Sequence, residues 1–279
     1  MTLIKEWIEE KIKNGKIRYF DNDKFSQIVK IGDGDFGQVN KANLADIGLV
    51  VLKFFLNKNS DKAYDKFANE LNLLHEIDYQ NINRVLGITE NLESYILVSE
   101  YANGGNLRDY LKKEFTSLKW SDKIQMALDI TNGLKFLHSK KNNPWKFVNN
   151  GKLLIADLGL TKMIGEIRSC YLMDDDYKMK EYIDPQRFKN IGCKKDKKSD
   201  IYSLGVLLWE ISSGYPPFLN LSIHEIAFHI LYMNLREEPI EGTPAKYQNL
   251  YQECWDFEPK SRPDIEEVYE ILNRLKNDL

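Results

Sequence analysis

The run from Ile31 to Val39 carries three glycines, Gly32, Gly34 and Gly37, at G-x-G-x-x-G spacing. Because glycine has no Cβ, such a run can turn tightly and lets the backbone approach phosphate groups closely. A dinucleotide-binding fold needs a helix to begin at the third glycine. Here the following residues, VNKANLADIGLVVLKFF, have the pattern of a strand, a turn and a second strand. The run therefore predicts a glycine-rich β-hairpin over a nucleotide rather than the start of a Rossmann domain.

A lysine and a glutamate follow the glycine run in positions from which they can pair. Lys53 lies in the apolar strand VVLK, where an isolated lysine usually faces solvent. Glu70 lies on the next long helix, in FANELNLLHEI, and can reach back toward such a lysine. A glycine-rich hairpin, a strand lysine and a helix glutamate in this order form the pattern of protein kinases, which favours a buried, paired Lys53.

On these residues the chain resembles a eukaryotic protein kinase domain over about residues 25–279, nearest to the tyrosine-kinase-like group. Three further motifs support the resemblance: Ser99-Glu100-Tyr101-Ala102 resembles the hinge, Gly104-Gly105-Asn106-Leu107 the following turn, and Asp157-Leu158-Gly159 the D-F-G motif. The resemblance implies that Ser99 is a small gatekeeper, that the backbone of Glu100 and Ala102 binds adenine, that Asn106 contacts ribose and that Asp157 binds Mg²⁺. The implied ATP-binding set is Ile31, Gly32, Gly34, Gly37, Val39, Val51, Lys53, Glu70, Ser99, Glu100, Ala102 and Asn106.

The resemblance also implies structural residues toward the end of the chain. Ile183-Asp184-Pro185 stands where the A-P-E motif is expected, and Arg262, before Pro263, is available to pair with Asp184. Asp200, in KSDIYSLG, matches the aspartate of a buried helix that holds the catalytic loop. The basic run from Lys194 to Lys198 is interpreted as a solvated face leading into that helix.

The elements that must hold these residues follow from periodicity. Short β-rich runs extend from Phe25 to about Leu56 and near 84–89 and 95–101, with a long helix predicted over 60–78. Helical periodicity dominates after the turn at 102–105, and predicts helices over 106–114, 120–138, 197–213, 222–235, 246–255 and 264–277. The periodicity therefore predicts a small strand-rich unit with one long helix, followed by a larger helical unit. The resemblance implies that these units form an α+β, bilobal kinase-like fold, with a small antiparallel β-sheet lobe that carries one helix and a larger, mainly helical lobe.

The predicted domain organisation has two parts. Residues 1–20 form an N-terminal extension, in which Ile4, Trp7, Ile8 and Ile12 share one helical stripe that ends near Gly15. This helix is interpreted as docked on the main body, with a partner-binding helix as the alternative. Residues 21–279 form the kinase-like domain, with an N-lobe over 21–101, a hinge over 100–105 and a C-lobe over 106–279.

The part of the pattern that is missing decides the predicted function. Kinases supply an H-R-D-L-x-x-x-x-N loop, whose aspartate takes the substrate proton and whose asparagine binds the second Mg²⁺. Between Asp129 and Asp157 the sequence contains no aspartate or glutamate, and Asp129 itself falls within a predicted helix. Counting back from Asp157 puts His138-Ser139-Lys140 at the place of H-R-D and Trp145 at the place of the asparagine, although Asn143 could serve as a metal ligand.

These features favour a pseudokinase: a signalling scaffold that binds ATP and Mg²⁺ and has lost or strongly impaired phosphotransfer. The alternative is an active Mg-ATP-dependent protein kinase for serine or threonine with an unconventional loop. A third hypothesis is a defective or wrongly joined copy of an active kinase over residues 138–149. The loop that distinguishes Ser/Thr from Tyr specificity is the one that is absent.

Composition narrows the class of partner. The chain has 279 residues, with 39 basic and 42 acidic side chains and a net charge of −3. This balance gives no reason to expect nucleic acid as a partner. The three cysteines are far apart and have no metal-site spacing, and no apolar stretch is long enough to span a bilayer. The sequence therefore predicts a cytoplasmic protein whose partners are ATP and signalling proteins.

Overall fold

The computed structural model describes residues 2–34, 37–56, 67, 71, 77–139, 147–149, 152–155, 180–189, 196–219 and 221–278. Its contacts divide the chain into two compact units. The first unit comprises Met1–Gly104 and Pro144–Leu160, and the second comprises Gly105–Asn143 and Thr161–Leu279. The boundaries drawn from sequence between an extension, a hinge and two lobes remain predictions.

The first unit is built on a five-stranded antiparallel sheet with the order β1-β2-β3-β5-β4. Its strands are β1 (Phe25–Gly34), β2 (Gly37–Leu44), β3 (Gly48–Leu56), β4 (Val85–Glu90) and β5 (Ser94–Glu100). A second, two-stranded sheet joins β6 (Phe147–Asn149) to β7 (Lys152–Leu154). Beyond β7, Ile155 exchanges backbone hydrogen bonds with Asn81 and Asn83, both 2.8 Å long. The predicted antiparallel sheet is confirmed.

The two faces of the large sheet bury different side chains, because successive residues of a strand point to opposite faces. One face carries a cluster of buried side chains, namely Phe20, Phe25, Ala42, Leu44, Val50, Leu52, Ile96 and Val98. On β3 the alternate positions Lys53 and Phe55 point to the opposite face. There the Phe55 ring meets the ring of Phe67 edge-on at 5.4 Å between centroids. Phe67 and Leu71 are helical and fully buried, as expected for the helix predicted over 60–78. Ile77 and Asp78, which the prediction placed in that helix, are not helical.

The N-terminal segment covers the β4 edge of the sheet. Helix α1 (Thr2–Lys13) buries Ile8, and the chain beyond it runs alongside β4. The Ile88 N–H donates to the Arg18 carbonyl and the Phe20 N–H donates to the Ile88 carbonyl, both at 2.9 Å. An edge strand would otherwise leave these polar groups unpaired. Residues 18–20 are therefore paired with the edge of the sheet, whereas docking of the α1 helix on the main body stays a prediction.

Gly87 lets residues 18–20 lie close to β4, and replacing this glycine by alanine is expected to destabilise the protein. A Cβ at position 87 would lie 2.2 Å from the Arg18 carbonyl oxygen and 2.8 Å from the Phe20 ring. Overpacking of this kind costs about 1–3 kcal/mol, which we expect as a fall in the free energy of unfolding measured in urea. Gly32→Ala is the matched control, because a Cβ there meets nothing within 4 Å. Equal losses in the two variants would contradict the packing of residues 18–20 against β4.

The second unit is helical. Its described helices are α2 (Leu107–Glu114), α3 (Trp120–Ser139), α4 (Gln186–Lys189), α5 (Lys197–Ser213), α6 (Ile223–Met233), α7 (Ala245–Cys254) and α8 (Ile265–Asn277). The predicted helices are confirmed to within two residues at each end, and α4 was not predicted because it has barely one turn. Every residue of α5 from Ser199 to Ser213 is buried, as its apolar sequence requires. At Gly205 a Cβ would lie 2.7 Å from the Cys254 Cβ, so glycine lets α5 and α7 pack closely. Within the described ranges, no helix has both the length and the apolar character needed to cross a membrane.

Candidate nucleotide site and catalytic segment

The glycine run forms the end of a hairpin. Strand β1 ends at Gly34, β2 begins at Gly37, and the register pairs these two residues with each other and Gly32 with Val39. The third glycine thus begins a strand, which excludes the dinucleotide-binding alternative and confirms the predicted hairpin. The tip residues Asp35 and Phe36 lie outside the described residues. Ile31 is 49% exposed on the strand leading to the tip.

Lys53 is buried, although it lies in an apolar strand. Its exposed fraction is 8%, and β3 pairs it with Val39 on one side and Leu97 on the other. Its Nζ lies 5.5 Å from the centre of the Phe55 ring, on the face of the sheet that Phe67 contacts. A buried ammonium needs compensating negative charge or hydrogen bonds. Glu70, its predicted partner, lies outside the described residues.

The predicted hinge begins where β5 ends. Ser99 is paired with Val51 of β3 and Val85 of β4. The Glu100 N–H donates to the Arg84 carbonyl at 3.0 Å, and the Glu100 carbonyl accepts a long hydrogen bond, 3.3 Å, from the Asn83 amide. This leaves the second lone pair of the Glu100 carbonyl for another donor.

Two further predicted positions follow the hinge strand. Ala102 is half-buried. Asn106 is the N-cap of α2, where its Oδ1 accepts the Asp109 N–H at 2.9 Å. Its contact with ribose stays a prediction, and capping gives this asparagine a structural role that the sequence analysis did not assign.

The segment expected to carry the catalytic loop is helical at its start. Helix α3 continues through His138 and Ser139, so these residues are not in the conformation of a loop. The buried His138 Nε2 lies 2.9 Å from the Asp200 Oδ2, which ties the end of α3 to the central helix α5. Asp129 is also within α3, is 4% exposed and accepts the Gln125 amide at 2.9 Å, as its predicted helical position requires.

The chain between α3 and β6 is short and has no acid. Residues 140–146, with the sequence KKNNPWK, connect Ser139 to Phe147. They contain lysines, asparagines, a proline and a tryptophan. These residues, Asn143 among them, lie outside the described residues, as does the predicted Mg²⁺ ligand Asp157.

The ion pair expected near the end of the chain is present. Arg262 Nη1 and Nη2 donate to the two oxygens of Asp184 at 2.7 and 3.0 Å, and both side chains are almost completely buried. The same guanidinium also donates to the carbonyls of Lys198, Asp256 and Phe257. The bidentate geometry gives this pair both strength and a fixed orientation.

The basic run from Lys194 to Lys198, which ends in the first turn of α5, is not a purely solvated face. The Lys198 ammonium donates to the Arg262 carbonyl, and Asp196 caps α5 by accepting the Ser199 N–H at 2.9 Å. The prediction was wrong for Lys198. A run of charged residues in the sequence does not show that one of its lysines reaches a distant backbone carbonyl, here that of Arg262. Lys194 and Lys195 lie outside the described residues.

A second charged cluster was missed by the sequence analysis. Arg108 of α2 reaches Glu210 of α5 at 3.2 Å, Glu181 at 3.3 Å and the Tyr182 hydroxyl at 3.2 Å. Burial opposes the charge of Arg108, but the phenol and the two carboxylates together raise its pKa. Burial, and then Glu210, raise the pKa of Tyr182 well above its usual value. The available signal was the single glutamate in the apolar run LLWEISS, since a buried acid needs a partner.

Comparison with known proteins agrees with the fold. The family of protein tyrosine and serine/threonine kinases matches residues 25–272. The chain is 29% identical over 269 residues to the serine/threonine-protein kinase VIK of Arabidopsis thaliana, covering 91% of this chain and 61% of that protein. It is 29% identical over 254 residues to the megakaryocyte-associated tyrosine-protein kinase of Rattus norvegicus, covering 88% and 52%. The chain thus spans half to three-fifths of the length of these relatives, which include both serine/threonine and tyrosine kinases.

Proposed function

Because the chain belongs to the protein tyrosine and serine/threonine kinase family, we propose that it is a pseudokinase that binds ATP with Mg²⁺ and transfers phosphate weakly or not at all. One observation carries the proposal: the chain from Ile130 to Ala156, which includes the whole connection from α3 to β6, contains no carboxylate. A kinase needs an acid there to orient the incoming hydroxyl and take its proton.

The expected loss in the rate of phosphate transfer is large. General acid–base catalysis contributes typically 10²–10⁴-fold, or about 3–5 kcal/mol of transition-state stabilisation. Asp129 cannot supply it, because this side chain is buried in α3 and already accepts a hydrogen bond from Gln125. His138 is also engaged, with Asp200.

The residues predicted to bind ATP match the kinase pattern better than the residues of the catalytic loop do. A buried lysine in a β-strand is costly and suits an anionic partner such as phosphate. Gly32 supports the same conclusion, because its φ is not positive and a Cβ there would meet no described atom within 4 Å. Neither backbone conformation nor packing in the described structure demands glycine at this position, whereas the close approach of phosphates would. When bound, Mg²⁺ would neutralise phosphate charge, with Asp157 as its ligand by resemblance.

We expect Mg-ATP to stabilise the protein against thermal unfolding. At a hundredfold excess over its dissociation constant, the nucleotide should add about 2.7 kcal/mol to the free energy of unfolding. Lys53→Met should remove most of this gain. Lys16→Met, a change of the same kind at an exposed position, should leave the gain intact. If the parent chain shows no shift with Mg-ATP, the ATP-binding part of the proposal is wrong.

A direct assay separates the pseudokinase from an active serine/threonine kinase with an unconventional loop. The burial of Lys53 fits both hypotheses, because both require ATP binding. Transfer of radiolabelled phosphate from Mg-ATP to a protein substrate is expected to be negligible. Transfer by the parent that disappears in both Lys53→Met and Asp157→Asn would support the active kinase. Transfer that survives both substitutions would come from a contaminating kinase.

A phosphotransfer-deficient domain acts through the proteins it contacts, so the proposal includes a role as a signalling scaffold. The cysteine pattern supports a reducing, cytoplasmic location, since the three cysteines lie far apart in the sequence and their number is odd.

A further inference from the structure

One buried polar atom beside the predicted hinge has no hydrogen-bond partner among the described residues. It is the amide oxygen Oδ1 of Asn83, which lies two residues before the start of β4. A buried acceptor that meets no donor costs the free energy of its lost hydration, so such an atom in a folded protein needs an explanation. Asn83 is not among the residues that the sequence predicts to bind ATP.

The nitrogen of the same amide is engaged with the hinge. Asn83 Nδ2 donates to the Glu100 carbonyl at 3.3 Å, and the backbone N–H of Asn83 donates to the Ile155 carbonyl at 2.8 Å. The neighbouring Arg84 carbonyl accepts the Glu100 N–H at 3.0 Å, so this segment holds Glu100 twice. Because a carbonyl can only accept, the amide nitrogen must face Glu100, and the amide oxygen is left as an acceptor beside it.

Asn83 adjoins the face of the large sheet that carries the predicted nucleotide residues. Paired residues of neighbouring strands share a face, and so do residues two apart along one strand. The strand register thus puts five side chains on one face, namely Val39, Val51, Lys53, Val85 and Ser99. Four of them belong to the implied ATP-binding set. The fifth, Val85, follows Asn83 by two residues, so Asn83 lies where this face meets the predicted hinge.

Two hydrogen-bond acceptors therefore lie side by side at the hinge end of this face. One is Asn83 Oδ1, and the other is the Glu100 carbonyl, which has a second lone pair besides the one that accepts from Asn83. The exocyclic amine of adenine has two hydrogens that point in different directions, and it can donate to two acceptors at once. A base with a carbonyl at that position, such as hypoxanthine, would leave both acceptors unpaired.

We propose that Asn83 recognises the base of the nucleotide, with its Oδ1 accepting one hydrogen of the adenine amine while the Glu100 carbonyl accepts the other. Asn83 is then a specificity-determining residue, which favours 6-aminopurine nucleotides over those with another group at that position. The inference rests on the proposed binding of Mg-ATP and adds to it a side-chain contact with the base. If Asn83 served only to hold the Glu100 carbonyl, its own oxygen would stay unpaired.

Purine riboside triphosphate tests this contact, because it differs from ATP only in having hydrogen in place of the amine. We expect the full chain to bind Mg-ATP at least about tenfold more tightly than the magnesium complex of this analogue, measured by isothermal titration calorimetry. Asn83→Leu has a similar shape and no acceptor. It should reduce the preference for ATP by about three- to tenfold, chiefly by weakening the binding of Mg-ATP.

The matched control is Asn14→Leu, the same change at an exposed asparagine of the first unit, which should leave the preference unchanged. Equal weakening of both nucleotides in Asn83→Leu would overturn the inference, because Asn83 would then act only by holding the hinge. Equal binding of ATP and the analogue by the parent would overturn it as well, even if Asn83→Leu failed to fold. That result would leave the proposed ATP binding intact, whereas a parent that binds neither nucleotide would contradict both.

Discussion

Arg262→Met is expected to lower the free energy of unfolding by about 3–5 kcal/mol, the cost of breaking a buried ion pair by removing one partner. The substitution leaves Asp184, 3% exposed, without the guanidinium that now donates to both of its oxygens. It also removes the donor to the carbonyls of Lys198, Asp256 and Phe257. Methionine has a similar length and fills the space, so the loss reports charge and hydrogen bonding rather than a cavity.

Chemical denaturation of the parent and the variant measures this effect. Arg274→Met is the matched control, because Arg274 lies on the exposed side of α8 and donates to a carbonyl of its own helix. We expect that control to stay within about 0.5 kcal/mol of the parent. Adding Asp184→Leu to Arg262→Met should recover part of the loss, since no unpaired charge remains buried, but the three carbonyls still lack their donor. A loss below about 1 kcal/mol for Arg262→Met alone would mean that the pair is not buried as described.

Local patterns in the sequence were enough to predict the features that depend on neighbouring residues. Strand β2 after the third glycine follows from alternation and turn residues, and this alone separates a kinase-like hairpin from a dinucleotide fold. The burial of Lys53 required more than its own strand, in which a solvent-facing lysine is the usual outcome. The order of motifs carried that prediction, because a hairpin, a strand lysine and a helix glutamate make sense only as one charged site.

Contacts between distant segments could not be predicted in the same way. Nothing in residues 18–20 indicates that they lie beside Ile88, because strand pairing depends on which edge remains free after the sheet has formed. The cluster of Arg108, Glu210 and Tyr182 joins three distant segments. The sequence marks Glu210 as an acid that needs a partner, but it does not show that Arg108 and Tyr182 are those partners. Similarly, the sequence of α6 (Ile223–Met233) shows that this helix is rich in apolar residues, but only the structure shows that Ile226 and Ile230 are buried while Phe228 and Tyr232 are exposed.

The absence of an acid before Asp157 has a consequence that can be tested by adding the missing residues. Replacing residues 140–146 by an H-R-D-L-x-x-x-x-N loop of the length usual in kinases should raise phosphate transfer from Mg-ATP by about 10²–10⁴-fold, the contribution of a positioned general base. The gain depends on the retained nucleotide residues, so it should disappear when Lys53→Met or Asp157→Asn is added to the same chain.

The matched control is a loop of identical length in which asparagine takes the place of the loop aspartate. It keeps the spacing between α3 and β6 but cannot accept the substrate proton, so its transfer rate should remain near that of the parent. If both loops restore transfer equally, chain length rather than the carboxylate limits the reaction. If the parent already transfers phosphate as fast as the restored chain, the pseudokinase proposal is wrong. Binding of Mg-ATP without transfer in the restored chain would instead locate the deficiency outside residues 140–146.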